Sequence, residues 1–386
     1  MKRAIRLLTL AAPVAVAVLI LFGGLFGGTA HAYPQFQMSR DQTCTGCHLS
    51  PSGGGLLNEN GLTTAEGISQ WGTAPEFFYG KVPTPSWLVL GGDLRGASGY
   101  VQTPEKLLAS FPMQIEAYGH ATLPAGLSLY VGVGSRASEV GNEAATHVWS
   151  REHYLMWQQK PGETGGLYVR AGRFMPVFGL RFVEHPTYTR KWGGTPLYAE
   201  TYGLAVEHID PRFEVHATGF IKDPLTDTPE HSNGAAAIGE LRLSEQLSVG
   251  AEAMYTQSTI DSQNKEQKIR AGLVAKLYLP GPETLLQFEG QFMNQLIDPR
   301  GAPKQIIAYL MASRSFDPAF MLDVGLGYFN ENVQITQLHR EALDVNFHWF
   351  ATSHIEAIFT GRFETLAFGS AGPNAGYALA QLHYRL

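Results

Sequence analysis

In Cys44-Thr45-Gly46-Cys47-His48, side-chain type and spacing specify a reaction, and Cys44 and Cys47 are the two cysteines of the chain. The spacing C-x-x-C-H is the attachment signal for a c-type haem. Two thiols three positions apart each add to one haem vinyl group, and the adjacent imidazole ligates the iron from the proximal face. A thioredoxin-like thiol pair needs a βαβ setting, and no such pattern surrounds these residues. A structural zinc site needs four ligands, and no second Cys/His pair lies nearby. The expectation is one covalent haem c with His48 as proximal ligand.

The second axial ligand is less legible. Between His48 and Phe111 the chain has no methionine and no histidine. Small soluble cytochromes take that ligand, Met or His, from their own domain. Here the iron is five-coordinate, or takes Met38 just upstream, or takes a residue from the chain that follows. Met38 and His120 are the distal candidates, with His216, His348, His383, Met254, Met293 and Met321 as further inward options. Each of those histidines also reads as a plain polar wall residue. The sequence from Leu49 to Gly55 reads as a turn, and Asn58–Gln70 as a short helix weakened by Gly61 and Gly67.

The elements that would hold such a site are strands. From Trp87 onward, apolar residues alternate with polar or small ones over stretches of roughly ten to thirteen residues, the pattern of a membrane β-strand. Phe111, Met113, Ile115, Ala117, Gly119, Ala121 and Leu123 share one face, opposite Gln114, Glu116, Tyr118, His120 and Thr122. Phe213, Val215, Ala217, Gly219 and Ile221 oppose Glu214, His216, Thr218 and Phe220. Ile269, Ala271, Leu273, Ala275 and Leu277 oppose Lys268, Arg270, Gly272, Val274 and Lys276. Short turns at 124–126, 161–162, 210–212, 244–246, 280–282, 317–319 and 351–353 separate longer polar stretches at 100–110, 138–147, 175–197, 222–233, 259–266, 297–304, 330–336 and 367–373. The fold expected is all-β, a transmembrane antiparallel β-barrel of about sixteen strands with apolar faces to lipid and a polar lumen. A short N-terminal monohaem cytochrome c segment precedes it.

Three regions follow, with a signal peptide over 1–32, a haem-binding segment or plug over 33–86, and the barrel over 87–386. The signal reading rests on Lys2, Arg3 and Arg6, the apolar run from Leu7 to Phe26, and Ala30-His31-Ala32 before Tyr33. An uncleaved anchor is the alternative for so long an apolar run. The location expected is the bacterial outer membrane. The full chain carries a formal charge of −6, and loss of the signal makes it more acidic. No basic face for nucleic acid is indicated.

Signal peptide, one C-x-x-C-H and then a barrel resemble the fused monohaem cytochrome–porin proteins of bacterial outer membranes. Cys44, Cys47 and His48 are the residues that match that architecture position by position. The stretch Cys44 to Gly61 is similar to haem-binding segments ahead of other barrels, and Arg173 to Arg181 to a porin segment. The last strand, with Ala378, Ala380, Leu382, Tyr384 and Leu386 on one face, resembles a C-terminal assembly signal, although Leu386 stands where an aromatic is usual. The resemblance implies electron transfer between extracellular Fe(II), a mineral or a surface cytochrome and periplasmic cytochromes. Ferrous oxidation is an implied activity, and an electron carrier fits better than a turnover enzyme.

Two rival readings remain. A diffusion porin with a structural or sensory haem would place Arg95, Arg136, Arg170, Arg270 and Arg362 as a stripe opposite Glu116, Glu214, Glu252 and Glu289. Arg181, Arg190, Lys191 and Trp192 in the 175–197 stretch then suggest a loop folded inward as a constriction. A haem enzyme with a vacant sixth position is the third reading. Glu184-His185 and Glu230-His231 are weak loop candidates for an external metal. No Ser/His/Asp or phosphate-loop motif indicates hydrolase or transferase chemistry.

Overall fold

Strand formation follows the alternation closely over Phe213–Ile221, where odd-numbered residues are exposed and even-numbered ones buried without exception. Such a segment satisfies its backbone only by pairing on both sides, and a closed barrel leaves no edge unpaired. The computed structural model describes residues 38, 43–102, 106–135, 148–183, 186–197, 199–224, 232–259, 265–297, 303–317, 319–335, 339–366 and 375–386. The signal-peptide reading over 1–32 lies outside the described residues.

The first strands are β1 (Leu88–Gln102), β2 (Lys106–Thr122), β3 (Leu127–Ser135), β4 (Val148–Gln158) and β5 (Gly166–Phe174). Next come β6 (Thr201–Ile209), β7 (Phe213–Ile221), β8 (Asn233–Arg242), β9 (Leu247–Thr259), β10 (Lys265–Leu279) and β11 (Thr284–Ile297). The set ends with β12 (Lys304–Asp317), β13 (Phe320–Asn330), β14 (His339–Phe350), β15 (Ile355–Leu366) and β16 (Ala375–Arg385). Each strand pairs antiparallel with its sequence neighbours, and β1 pairs with β16 to close the barrel.

The outer surface is apolar all round. Leu108, Leu129, Leu155, Leu204, Val215, Leu241, Leu273, Phe292, Leu310, Phe359 and Leu382 are exposed large hydrophobics on eleven different strands. A continuous apolar belt on strands is the lipid-facing surface of a membrane barrel. The seven short turns fall at one end, together with the start of β1 and the end of β16, as the turn spacing predicts.

Two details of the expected pattern are corrected. The stretch 100–110 is not a long loop, because β1 runs to Gln102 and β2 resumes at Lys106. Phe111 and Met113 do not share the face of Ile115. The pairing of β1 with β2 shifts between Arg95 and Gly96, so that Arg95 opposes Gln114 while Gly96 opposes Pro112. Met113 is the extra residue of this β-bulge, and a one-residue insertion reverses every side chain beyond it. Phe111 therefore pairs with buried Ala97 on the lumen side.

Candidate functional site

The haem motif is wound into one tight turn at the short-turn mouth of the barrel. Cys44–Gly46 forms a 3-10 helix, and the N–H groups of Cys47 and His48 donate to the Cys44 carbonyl at 3.3 and 3.0 Å. Cys44 Sγ lies beside Gly53, and Cys47 Sγ accepts from Asn60 Nδ2 at 3.6 Å. The turn is followed by a return strand, in which His48 bridges Leu57 and Leu49 N–H donates to Leu56 O at 3.1 Å. Gly53, Gly54 and Gly55 make the bend between them, all with positive φ.

Helix α1 (Glu59–Gly67) then packs its N-terminus onto the turn. Asn58 caps it by accepting from Gly61 N–H at 2.9 Å, and the Asn58 side chain donates to Thr45 O at 2.9 Å. Asn60 Nδ2 donates to Gly46 O at 2.8 Å. Gly61, which should weaken the helix, is there because the helix packs directly on the turn. A Cβ at Gly61 would overlap the carbonyl oxygen of Cys47.

Contacts with the barrel wall fix this segment. Thr45 Oγ1 donates to Thr164 O in the β4–β5 turn, and Arg170 Nη1 to Ser50 Oγ at 3.3 Å. Leu56 enters an apolar cluster with Tyr130, Tyr154, Met156, Tyr168 and Phe174, and Leu49, Val89 and Tyr118 pack against it. Further along, Gln70 and Trp71 N–H donate to Phe350 O and Ala351 O at 2.9 and 3.0 Å. Thr73 bonds Ser353 at 2.6 Å, and His354 Nε2 meets Ala74 O at 2.7 Å. Residues 43–74 thus lie across the mouth as a stopper.

The three motif residues suit covalent haem attachment. The two sulfurs are not joined in a disulfide. His48 Nδ1 is buried without a hydrogen-bond partner. Burial pushes the Cys44 thiol up to about 12 and the His48 imidazole down to about 4. A neutral imidazole is the form that ligates iron. Cys44, Cys47 and His48 are the residues that could hold the group.

Met38 is buried among Asp210, Arg212, Phe213, Glu214, Glu240 and Arg242, and Glu214 and Glu240 are also among the charges that act on Cys44. His120 is buried on the lumen face of β2 with neither ring nitrogen bonded. His216, His348, His383, Met254, Met293 and Met321 all face inward and are buried as well. Glu184-His185 and Glu230-His231 lie outside the described residues.

The lumen is lined by paired charges. Arg170 forks onto Glu207 at 2.7 and 2.9 Å, and His216 Nδ1 bonds the same carboxylate at 3.0 Å. Arg362 holds Asp344 at 2.7 Å and Arg173 holds Asp223 at 3.0 Å. The expected arginine stripe does not form. Arg95, Arg170, Arg270 and Arg362 sit on β1, β5, β10 and β15, spread round the wall, with Arg170 and Arg362 paired to Glu207 and Asp344, while Arg136 lies outside the described residues. A further polar chain crosses the closing strands. Asp93 bonds His383 Nε2 (2.6 Å), His383 Nδ1 bonds Glu356 (3.2 Å), Glu356 bonds His348 Nδ1 (2.9 Å), and His348 Nε2 bonds Asp323 (3.0 Å). Sequence reading marked these histidines as inward but missed their carboxylate partners, which lie one strand away and from 8 to 290 residues distant.

The loop between β5 and β6 folds inward, as its composition suggested. It crosses the lumen to the far wall, where Leu180 N–H donates to Glu289 Oε2 at 2.9 Å and Phe182 meets the Tyr309 ring at 4.9 Å. Its helix α2 (Tyr188–Lys191) carries Tyr188 beneath Arg362, and Trp192 stacks on Phe329 at 4.2 Å. Arg190 is turned back into the loop, donating to Phe182 O and Thr195 O at 2.8 Å, and burial pulls it down to about 10.

No family model matches the sequence, and no curated protein is similar to it. The fold is shared with solved outer-membrane channels. It aligns with OmpT of Vibrio cholerae at TM-score 0.58 and 10% identity, covering 79% of this chain and 100% of that one. An anion-selective porin from Comamonas acidovorans aligns at TM-score 0.60 and 11% identity, over 78% and 99% of the two chains. Salmonella typhi OmpF, solved with daunomycin, aligns at 0.59 and 11%, over 78% and 97%. The chain has the fold of outer-membrane porins.

Proposed function

We propose that the protein is a porin-type channel of the bacterial outer membrane, narrowed by its inward β5–β6 loop and stoppered at the short-turn mouth by a segment carrying one covalent haem c. The observation that carries the channel part is the loop crossing the lumen of a barrel with the porin fold. In barrels of this type short turns face the periplasm, so the stopper faces inward to the cell. The C-x-x-C-H turn and the orphan His48 nitrogen support the haem, held by Cys44, Cys47 and His48. Bound there, the haem supplies a one-electron couple. The chain's own residues anchor it, exclude water through the Leu56 cluster and set how far the mouth opens. Planar-bilayer recording of the full chain, with a haem stain of the denatured protein, tests this reading. Steps of porin-like conductance together with covalent haem are expected, and a silent barrel sinks the channel part.

A second reading is favoured by the packing of the lumen. Arg170, Arg173, Glu207 and Glu289 are almost wholly buried, and so tightly filled a lumen suits an insulated electron conduit. The chain would then link extracellular Fe(II), a mineral or a surface cytochrome to periplasmic cytochromes. Reduction of cytochrome c trapped inside proteoliposomes by external ferrous ion, with no ionic conductance, would select it. Vesicles whose trapped cytochrome stays oxidised would eliminate it.

A further inference from the structure

We propose that Arg181 is the counter-ion of a haem carboxylate, tying the inward β5–β6 loop to the group carried by Cys44, Cys47 and His48; the inference rests on the haem reading above. A c-type haem brings propionate carboxylates to its site as well as iron, and charges taken out of water are found paired. The cations close enough to act on Cys44 or His48 are Arg181, Lys276 and Arg385. Lys276 holds Glu240 at 2.7 Å, and Arg385 meets Glu356 at 3.5 Å. Arg181 is half-buried, and its guanidinium has no hydrogen bond or ion pair among the described residues. Arg190 in the same loop adds a like charge beside it. The acidic residues nearest Cys44 are engaged elsewhere, Glu240 with Lys276 and Glu214 with His216 at 3.8 Å.

The geometry brings this spare cation to the motif. Arg181 Nη2 and Cys44 Sγ both lie within 4.0 Å of one point, the place a Cβ would take on Gly53. The loop is fixed on either side of it. Leu180 N–H donates to Glu289 Oε2 at 2.9 Å, and the Phe182 ring meets Tyr309 at 4.9 Å. Between them Arg181 has a φ of 52°, a left-handed conformation that a residue with a Cβ adopts at a cost. Such a conformation persists where its surroundings over-determine it. Here the far wall takes residues 180 and 182, while the guanidinium of 181 reaches Gly53 in the stopper. An unpaired guanidinium beside a thiol that carries haem matches the planar, forked recognition of a carboxylate. The pair joins the constricting loop to the stopper through the haem.

The test uses the full chain, matured in a host that attaches c-type haem, with the haem carboxyls isotopically labelled through a precursor, and purified in detergent. A pyridine haemochrome spectrum counts covalent haem, and a redox-difference infrared spectrum reads the labelled carboxylate bands. Arg181→Gln should keep full haem content and heat-modifiable gel mobility, and should displace one labelled band. Loss of the cation also favours ferric haem. At a fixed potential the ferrous-to-ferric ratio should fall roughly tenfold, a midpoint lower by about 59 mV. Should Arg181→Gln fail to mature, Arg181→Lys decides alone, since exchanging guanidinium for ammonium shifts the band of a paired carboxylate and leaves an unpaired one in place. Labelled bands that coincide with those of wild type in either variant at full haem content, or a midpoint that does not fall in Arg181→Gln, would overturn the assignment alone. Absence of covalent haem from wild type would overturn the haem reading with it.

Discussion

Truncating Leu56 to alanine should unseat the stopper while leaving the barrel intact. Leu56 is 8% exposed and is the side chain through which the segment enters the cluster of Tyr130, Tyr154, Met156, Tyr168 and Phe174. Removing most of a buried leucine from a packed site is destabilising by about 3 kcal/mol. The sixteen strands are paired to one another and not through this residue, so the loss falls on docking of the segment. At about 1.4 kcal/mol per factor of ten, the docked-to-undocked ratio falls by roughly a hundredfold. Single-channel recording should show the open fraction rising from rare events towards a steady current, and limited proteolysis should cut between Gly53 and Gly55. The SDS-resistant gel mobility of the barrel should stay unchanged. Equal open fractions and equal protease resistance in wild type and Leu56→Ala would refute the idea that this contact holds the mouth closed.

Gly61→Val should lower the yield of covalent haem severalfold, read by haem stain against total protein, because the new side chain displaces α1 from the carbonyl of Cys47. Arg170→Met leaves Glu207 buried with only His216 beside it, which is unfavourable by about 3 kcal/mol; the urea midpoint of the barrel should fall, and Glu207→Gln in the same chain should recover part of it. Gly193→Val puts a side chain onto Thr189 O in α2 and within 2.5 Å of Gln291 Oε1 on the wall, and should distort the inward loop and loosen it from β11, raising unit conductance in a Leu56→Ala background.

The outward half of the barrel was legible in the sequence because lipid demands apolar side chains at every second position. β7 carries that demand without interruption, and its faces are assigned residue by residue from Phe213 to Ile221. Where the chain adds one residue, as at Met113 beside Pro112, periodicity carries no mark of the insertion and the faces exchange. The C-x-x-C-H turn was legible as a candidate attachment site, since Cys44, Cys47 and His48 lie close together in sequence. Its seat was not, because the wall that receives it comes from β1 to β5 and is defined by closure. The bonding of His383 to Glu356 and Asp93 depends on strands meeting across the seam, which no local window contains.

That chain of carboxylates and imidazoles bears on how the barrel is assembled. Alternation cannot detect a slip of two residues at the last pairing, for Ala380 or Tyr384 would take the place of Leu382 and the lipid face would stay apolar. The inner side is not so tolerant. A two-residue slip of β16 brings Gln381 or Arg385 to the position of His383, and the single ring that joins Asp93 to Glu356 is lost. Asp93 would keep Tyr118 and Glu356 would keep His348, but the imidazole that ties the two carboxylates to each other would be gone. The polar chain across the seam thus adds an inward preference for the alignment in which the first and last strands meet, one that the lipid face cannot supply.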